Sequence, residues 1–260
     1  MVSYEAYESI TVDVEDGVAR IGFHRPEKLN ALSTEVMFDL QRAFGEIQLN
    51  RDVDVVVIEG EGDEAFSAGA DIEQYAGPAE EHDPRQRDRQ SMFYDIYRQP
   101  LESHAVTLAK IDGYCVGGGL ILAMYCDMRI ATEKSSFGVP VTDLGQIPTG
   151  GATHRAVQLV GEAKAKELVL TAGYVDAEAA RDAGLINRMV ADAGALDEAV
   201  AEVVGAVQDT GTGAVKRSKE VINFAADAPD AATAREFEAE VWWDQFATEE
   251  RRRRVDEFNE

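Results

Sequence analysis

No stretch of the 260-residue chain approaches the roughly 18 consecutive apolar residues of a membrane span, and its start carries no cationic, apolar, small-residue leader. The sequence therefore predicts a cytoplasmic protein with no membrane partner. Cysteine is scarce. Cys115 and Cys126 lie in apolar surroundings at no metal-like spacing, so a disulfide framework is excluded and two buried thiols are expected. His24, His82, His104 and His154 are scattered without ligand spacing, which argues for structural roles and against a metal centre. Lysine is scarce as well, supplying seven of the 25 basic residues against 49 acidic ones. The resulting net charge of −24 is spread along the chain instead of forming an acidic tail. Such a surface suits molar salt, where screening shortens self-repulsion to about 3 Å. It also disfavours polyanions, so no nucleic-acid partner is expected.

What is present is apolar content of 45%, enough to bury a large core in one domain with an appendage. Ile10, Val12 and Val14 alternate with polar residues, Asp16-Gly17 supplies a hairpin turn, and Val18 to Phe23 returns as a second strand. Ser33 is placed to cap a helix whose apolar face is Val36, Met37, Leu40, Phe44 and Ile47. Val53 to Glu59 predicts a buried strand. Residues 77 to 90, charged and broken by Pro78 and Pro84, predict an exposed, mobile loop. Strand-like VTLAKI, a Gly-rich turn, helical GGGLILAMYC and strand-like MRIA follow. Strand alternating with helix argues for the α/β class. Beyond about residue 195 only helical patterning continues, which divides the chain into a core over 1–195 and a helical region over 196–260.

Two Gly-rich turns follow apolar strands: FSAGADI, residues 66 to 72, and DGYCVGGGLILAM, residues 112 to 124. Small residues leave backbone N–H groups uncovered, and those at a helix start carry the positive end of its dipole. Two such turns facing one point hold an oxyanion. Taken singly, either run is equally well explained by tight turns and close packing.

Four segments together resemble the crotonase, or enoyl-CoA hydratase/isomerase, superfamily in order and spacing: HRPEKLNAL (24 to 32), AFSAGADI (65 to 72), DGYCVGGG (112 to 119), and FGVP through GQIPTGGATHR (137 to 155). The resemblance continues to FATEE near the end of the chain. It implies a fold of repeated ββα units in a spiral, with C-terminal helices that assemble a homo-trimer or a hexamer of two trimers. It also implies an acyl-CoA thioester substrate, with CoA belonging to the substrate and no further cofactor. By the resemblance, the thioester oxygen sits between the backbone N–H groups of Ala70 and Gly118. Ala68, Ala70, Asp71, Ile72 and Glu73 line the CoA moiety, Lys28 approaches its phosphates, and Gly118 and Val141 border the acyl group.

The sequence departs from the family at the residues that activate water. Hydratases of the superfamily use two glutamates, and Ile121 and Val141 occupy the matching positions. Thr149 and Gly150 stand where related enzymes place an acid in the IPTGG turn. Asp143 is the ionisable residue nearest the vacancy and the first candidate to replace it, while Tyr75 reads as pocket wall and Lys110 as half of an ion pair. The implied activity is that of an enoyl-CoA hydratase-like lyase or isomerase, with decarboxylation, thioester cleavage and binding without turnover as alternatives. Trp242 and Trp243 are expected to pack at a subunit contact.

Overall fold

The computed structural model describes residues 7–75 and 84–259. It opens with the hairpin β1 (Ile10–Glu15) and β2 (Val18–Phe23), turned at Asp16 and Gly17, both at positive φ. Helix α1 (Thr34–Leu49) follows, and the Ser33 hydroxyl caps it by accepting from Val36 N. Its expected apolar stripe is buried throughout.

Three rounds of one motif come next. Each sends a strand through a large sheet, a three-residue strand through a small sheet, and then a helix. The first round is β3 (Val55–Gly60), β4 (Ala65–Ser67), a short α2 (Ile72–Tyr75) and α3 (Pro84–Glu102). The second is β5 (Val106–Ile111), β6 (Tyr114–Val116) and α4 (Gly118–Tyr125). The third is β7 (Met128–Thr132), β8 (Ser136–Gly138), a 3-10 turn over Pro140–Leu144 and α5 (Ala152–Leu170), which is broken at Gly161. The chain then adds β9 (Tyr174–Asp176), α6 (Ala177–Asp182) and β10 (Arg188–Val190). It finishes in four helices, α7 (Ala193–Asp209), α8 (Thr212–Asp227), α9 (Ala231–Phe246) and α10 (Glu249–Asn259).

The large sheet runs β1-β2-β3-β5-β7-β10 and is parallel apart from the first pair; the small sheet runs β4-β6-β8-β9 with only β9 antiparallel. Strand β3 shows why its sequence reads as one apolar run. Val56 and Ile58 face the main core, whereas Val55 and Val57 face a second core closed by Leu196, Val200 and Val203 of α7. The first helix after residue 190 thus lies on the sheet itself.

One expectation needs correcting. Residues 84–90 are not loop but the first turns of α3. Proline is tolerated at a helix start, where its missing N–H has no partner to lose, so Pro84 opens the helix that it was expected to break. The remainder of the expected loop, 77–83, lies outside the described residues, as does His82.

Candidate functional site

The small sheet sets the site. Strands β4, β6 and β8 are parallel neighbours, so the segments leaving their C-terminal ends emerge side by side along one edge. Ligands of parallel α/β sheets bind at such edges. Those segments are Ala68 to Asp71 and Gly117-Gly118, which the sequence singled out as Gly-rich turns, and Val139 to Val141, which it singled out through the family resemblance.

The first segment is zipped to residues 29–32. Ala68 N donates to Leu29 O at 2.8 Å, Leu32 N to Gly69 O at 2.7 Å, and Asp71 N to Leu32 O at 3.1 Å. In this parallel bridge Leu32 pairs with Ala70, so Ala70 turns its own N–H to the opposite side. That side is occupied by the second Gly-rich turn. A β-carbon on Gly69 (φ +91°) would lie 2.9 Å from Gly118 N and 3.2 Å from Gly117 Cα, and one on Gly118 would lie 3.4 Å from Ala70 N. The two backbones touch, which answers why both runs are built from small residues. Gly118 is also the first residue of α4, so its N–H has no partner within the helix. Among the described residues neither Ala70 N nor Gly118 N has an assigned acceptor. The fold therefore sets Ala70 beside Gly118, which stands at a helix start.

Buried polar groups hold these donors in place. Arg25 forms an ion pair with Asp71 at 3.0 Å and donates to Ala31 O at 2.9 Å. Asn30 sits at φ +54° with its amide donating to Ala65 O and Glu61 O and its side-chain oxygen accepting from Arg25 N. Ser67 donates to Asn30 O and accepts from Gly69 N. At the far end of α4, Arg129 donates to the carbonyls of Ala123 and Cys126, and Arg155 to that of Met124. Cations there complement the helix dipole whose positive end faces the site. Burial lowers the Arg129 pKa to about 10, still charged at neutrality. Arg25, Asn30 and Ser67 carried no separate signal in the sequence, because their work is done through carbonyls that only the fold brings near.

At the outer rim Lys28 pairs with Glu73 at 2.7 Å, and this contact raises the lysine's pKa. Ile72 beside them is exposed. The inner end is apolar. Ile121 is buried in α4 and Val141 half-buried in the 3-10 turn, each packed into the core. Gly150 (φ +65°) has no room for a side chain: a β-carbon there would meet Tyr97 Cδ2 at 2.6 Å and Ile121 Cγ2 at 3.4 Å.

Asp143 stands off the face that Val141 presents. A 3-10 turn advances a third of a revolution per residue, so two residues on from Val141 the side chain leaves that face, and Asp143 is exposed. Tyr97, which the sequence did not single out, is buried against Gly118 and Gly150. Lys110 is an ion-pair residue as expected, bonded to Glu59 at 2.6 Å and Asp197 at 2.7 Å. Both cysteines are buried free thiols whose pKa burial pushes up, Cys126 to about 12. Among the described residues no cluster of His, Cys, Asp or Glu is placed to hold a metal, and no helix is long and apolar enough to cross a membrane. The side chain of Tyr75 lies outside the described residues.

Fold and site together define an α/β spiral with a pair of backbone donors at the strand ends of its small sheet. The family model for enoyl-CoA hydratase/isomerase matches residues 13–260. The chain is 32% identical to a short-chain-enoyl-CoA hydratase of Clostridium acetobutylicum, over 97% of this chain and 95% of that one. It is equally identical, at 32%, to a crotonyl-CoA hydratase of Syntrophomonas wolfei, over 98% and 96%. Among solved structures, an enoyl-CoA hydratase from Bacillus anthracis superposes with a TM-score of 0.91 at 30% identity, covering 97% of this chain and 96% of that one. A Thermobifida fusca protein solved in complex with CoA gives 0.83 at 30% identity, covering 92% and 93%. The chain belongs to the enoyl-CoA hydratase/isomerase family, and its fold is the crotonase fold.

Proposed function

We propose that the protein binds an acyl-CoA thioester with the thioester oxygen between Ala70 N–H and Gly118 N–H, and that these donors stabilise the enolate formed when the α-carbon loses a proton. The observation that carries this reading is the backbone contact of Gly69 with Gly118, which sets Ala70 beside the first residue of α4. Charge developing on the oxygen meets two fixed dipoles and a helix start, with no reorganisation needed. Ala68 and the run Asp71 to Glu73 line the CoA chain; Asp71 contributes through its clamp on Arg25, and Lys28 reaches the phosphates by exchanging Glu73 for them. No cofactor beyond the substrate's own CoA is invoked.

With Ile121 and Val141 apolar and Asp143 turned away, no carboxylate in the described pocket orients water at the β-carbon. The favoured reactions are those that form an enolate without activating water, double-bond isomerisation first among them. The helices of residues 196–260 are read as the assembly region of a trimer or hexamer. They expose an aromatic cluster in which Trp242 stacks on Phe246 and Trp243 meets both edge-on, with Phe258 90% exposed beyond it.

The donor assignment is tested by titrating butyryl-CoA against two variants at one position. Gly118→Ala keeps the N–H but places a β-carbon 2.5 Å from the Tyr97 hydroxyl, whereas Gly118→Pro also removes the N–H. The reading predicts that both bind more weakly and that turnover falls a further roughly 100- to 1,000-fold in the proline variant, about 3 kcal/mol for one donor. Equal behaviour of the two folded variants contradicts it.

A further inference from the structure

The apolar end of the site is built on a turn with no side chains of its own. Gly150 (φ +65°) and Gly151 (φ +74°) both stand in the left-handed region. A β-carbon on Gly150 would meet Tyr97 Cδ2 at 2.6 Å, Tyr97 Cε2 at 3.0 Å and Ile121 Cγ2 at 3.4 Å, so the turn rests on a tyrosine ring and an isoleucine, both buried. The next residue is pressed likewise: a β-carbon on Gly151 would strike the Tyr125 hydroxyl and lie 2.7 Å from Tyr94 Cε2. Arg98 lies over both of those rings, 5.5 Å from the centre of Tyr94 and 5.9 Å from that of Tyr125, and is fixed in turn to Glu102 at 3.1 Å. The turn is thus pinned among side chains of α3 and α4. Interiors packed to this density yield only by displacing whole rings.

This wall stands close to the oxyanion donors. Ile121 is three residues on from Gly118 in α4, on the same face and about 4.5 Å further along the axis. The Tyr97 side chain spans the same interval, its hydroxyl 2.5 Å from the β-position of Gly118 and its Cδ2 2.6 Å from that of Gly150. An extended chain advances about 1.2 Å per bond, so an acyl chain whose carbonyl is held at Gly118 N–H has room for roughly three to four bonds before it meets the wall. We infer that the bulk of the Tyr97 ring and of Ile121, backed by Gly150, sets the acyl length, and that the substrate class is the thioester of a short acyl group of about four carbons. The inference rests on the acyl-CoA reading above.

The test is calorimetric titration of the full-length protein with acetyl-, butyryl-, hexanoyl- and octanoyl-CoA. Each buried methylene tightens binding about fourfold, so butyryl-CoA should bind about 15-fold more tightly than acetyl-CoA. Forcing extra carbons into a packed wall is costly, so octanoyl-CoA should bind about tenfold or more weakly than butyryl-CoA. Tyr97→Leu and Ile121→Ala each cut back one part of the wall. In either, the octanoyl-to-butyryl affinity ratio should rise about tenfold. A ratio taken within one variant is not moved by a general loss of stability, and where one variant fails to fold the other and the native series decide. Octanoyl-CoA bound by the native protein as tightly as butyryl-CoA, or a ratio unchanged in every folded variant, overturns the wall and leaves the acyl-CoA site standing. Native protein that binds none of the four thioesters overturns the functional reading itself.

Discussion

Asn30 anchors the site from behind it, through three side-chain hydrogen bonds to backbone. Its backbone occupies the left-handed region, which asparagine tolerates better than most residues, and its buried amide ties the start of β4 to the segment that pairs with Ala70. Replacing it by alanine leaves the carbonyls of Ala65 and Glu61 short of a donor and removes the acceptor for Arg25 N. Asn30→Ala should cost about 3 kcal/mol in chemical denaturation, because each unsatisfied buried group costs about 1–3 kcal/mol. It should also weaken acyl-CoA binding by releasing Ala70. Unchanged stability would show that the clamp is not what holds the loop. The motif around residues 24 to 32 was legible as a motif, and its Lys28 as a rim residue. That Asn30 acts on carbonyls more than thirty residues away was not legible, since spacing carries no trace of a contact made by the fold.

At the scale of elements, long amphipathic segments were legible and short ones were not. Helix α1 matched its cap, and all five of its expected apolar positions are buried with Ala43 beside them, because sixteen residues repeat one periodic signal. Strands β4, β6, β8 and β9 have three residues each, too few for a period, yet β4, β6 and β8 deliver the site. The charged start of α3 hid a helix whose later turns carry Phe93, Ile96 and Tyr97 into the core. The rim helix α2 is fastened to α1 by one side chain: Gln74 accepts from Thr34 N at 2.8 Å and donates to Glu35 at 3.0 Å. The hydrogen bond from Gln74, with one from Ser33, draws the Glu35 pKa down to about 2. A carboxyl depressed in the folded state stabilises it above its ordinary pKa, here 4.5, and that contribution is lost as pH falls toward 2. Hydrogen exchange across residues 72–75 should therefore quicken between pH 4.5 and 2 in the native protein. In Glu35→Gln it should be insensitive to pH over that window, after allowing for intrinsic exchange; a native profile equally insensitive would contradict the fastening.

The whole molecule carries a charge of −24, and that number decides how its stability responds to salt. Like charges repel least when screened, so melting temperature should rise steeply from dilute buffer to molar KCl. Light scattering in the same series should read a trimer or hexamer where the protein is most stable, as the exposed aromatic group of α9 and the end of α10 become covered. A flat melting curve would assign the acidic surface another purpose, and a monomer throughout would remove the assembly reading. The proposed oxyanion hole faces Ile121 and Val141 where the hydratases of the family carry glutamates, and crotonyl-CoA hydration tests that reading most directly. Losing a positioned acid or base lowers such a step about 100- to 10,000-fold, so the native protein at saturating crotonyl-CoA should hydrate it very slowly, Asp143→Asn should be no slower, and Ile121→Glu combined with Val141→Glu should raise the rate. Brisk hydration by the native protein would contradict the account.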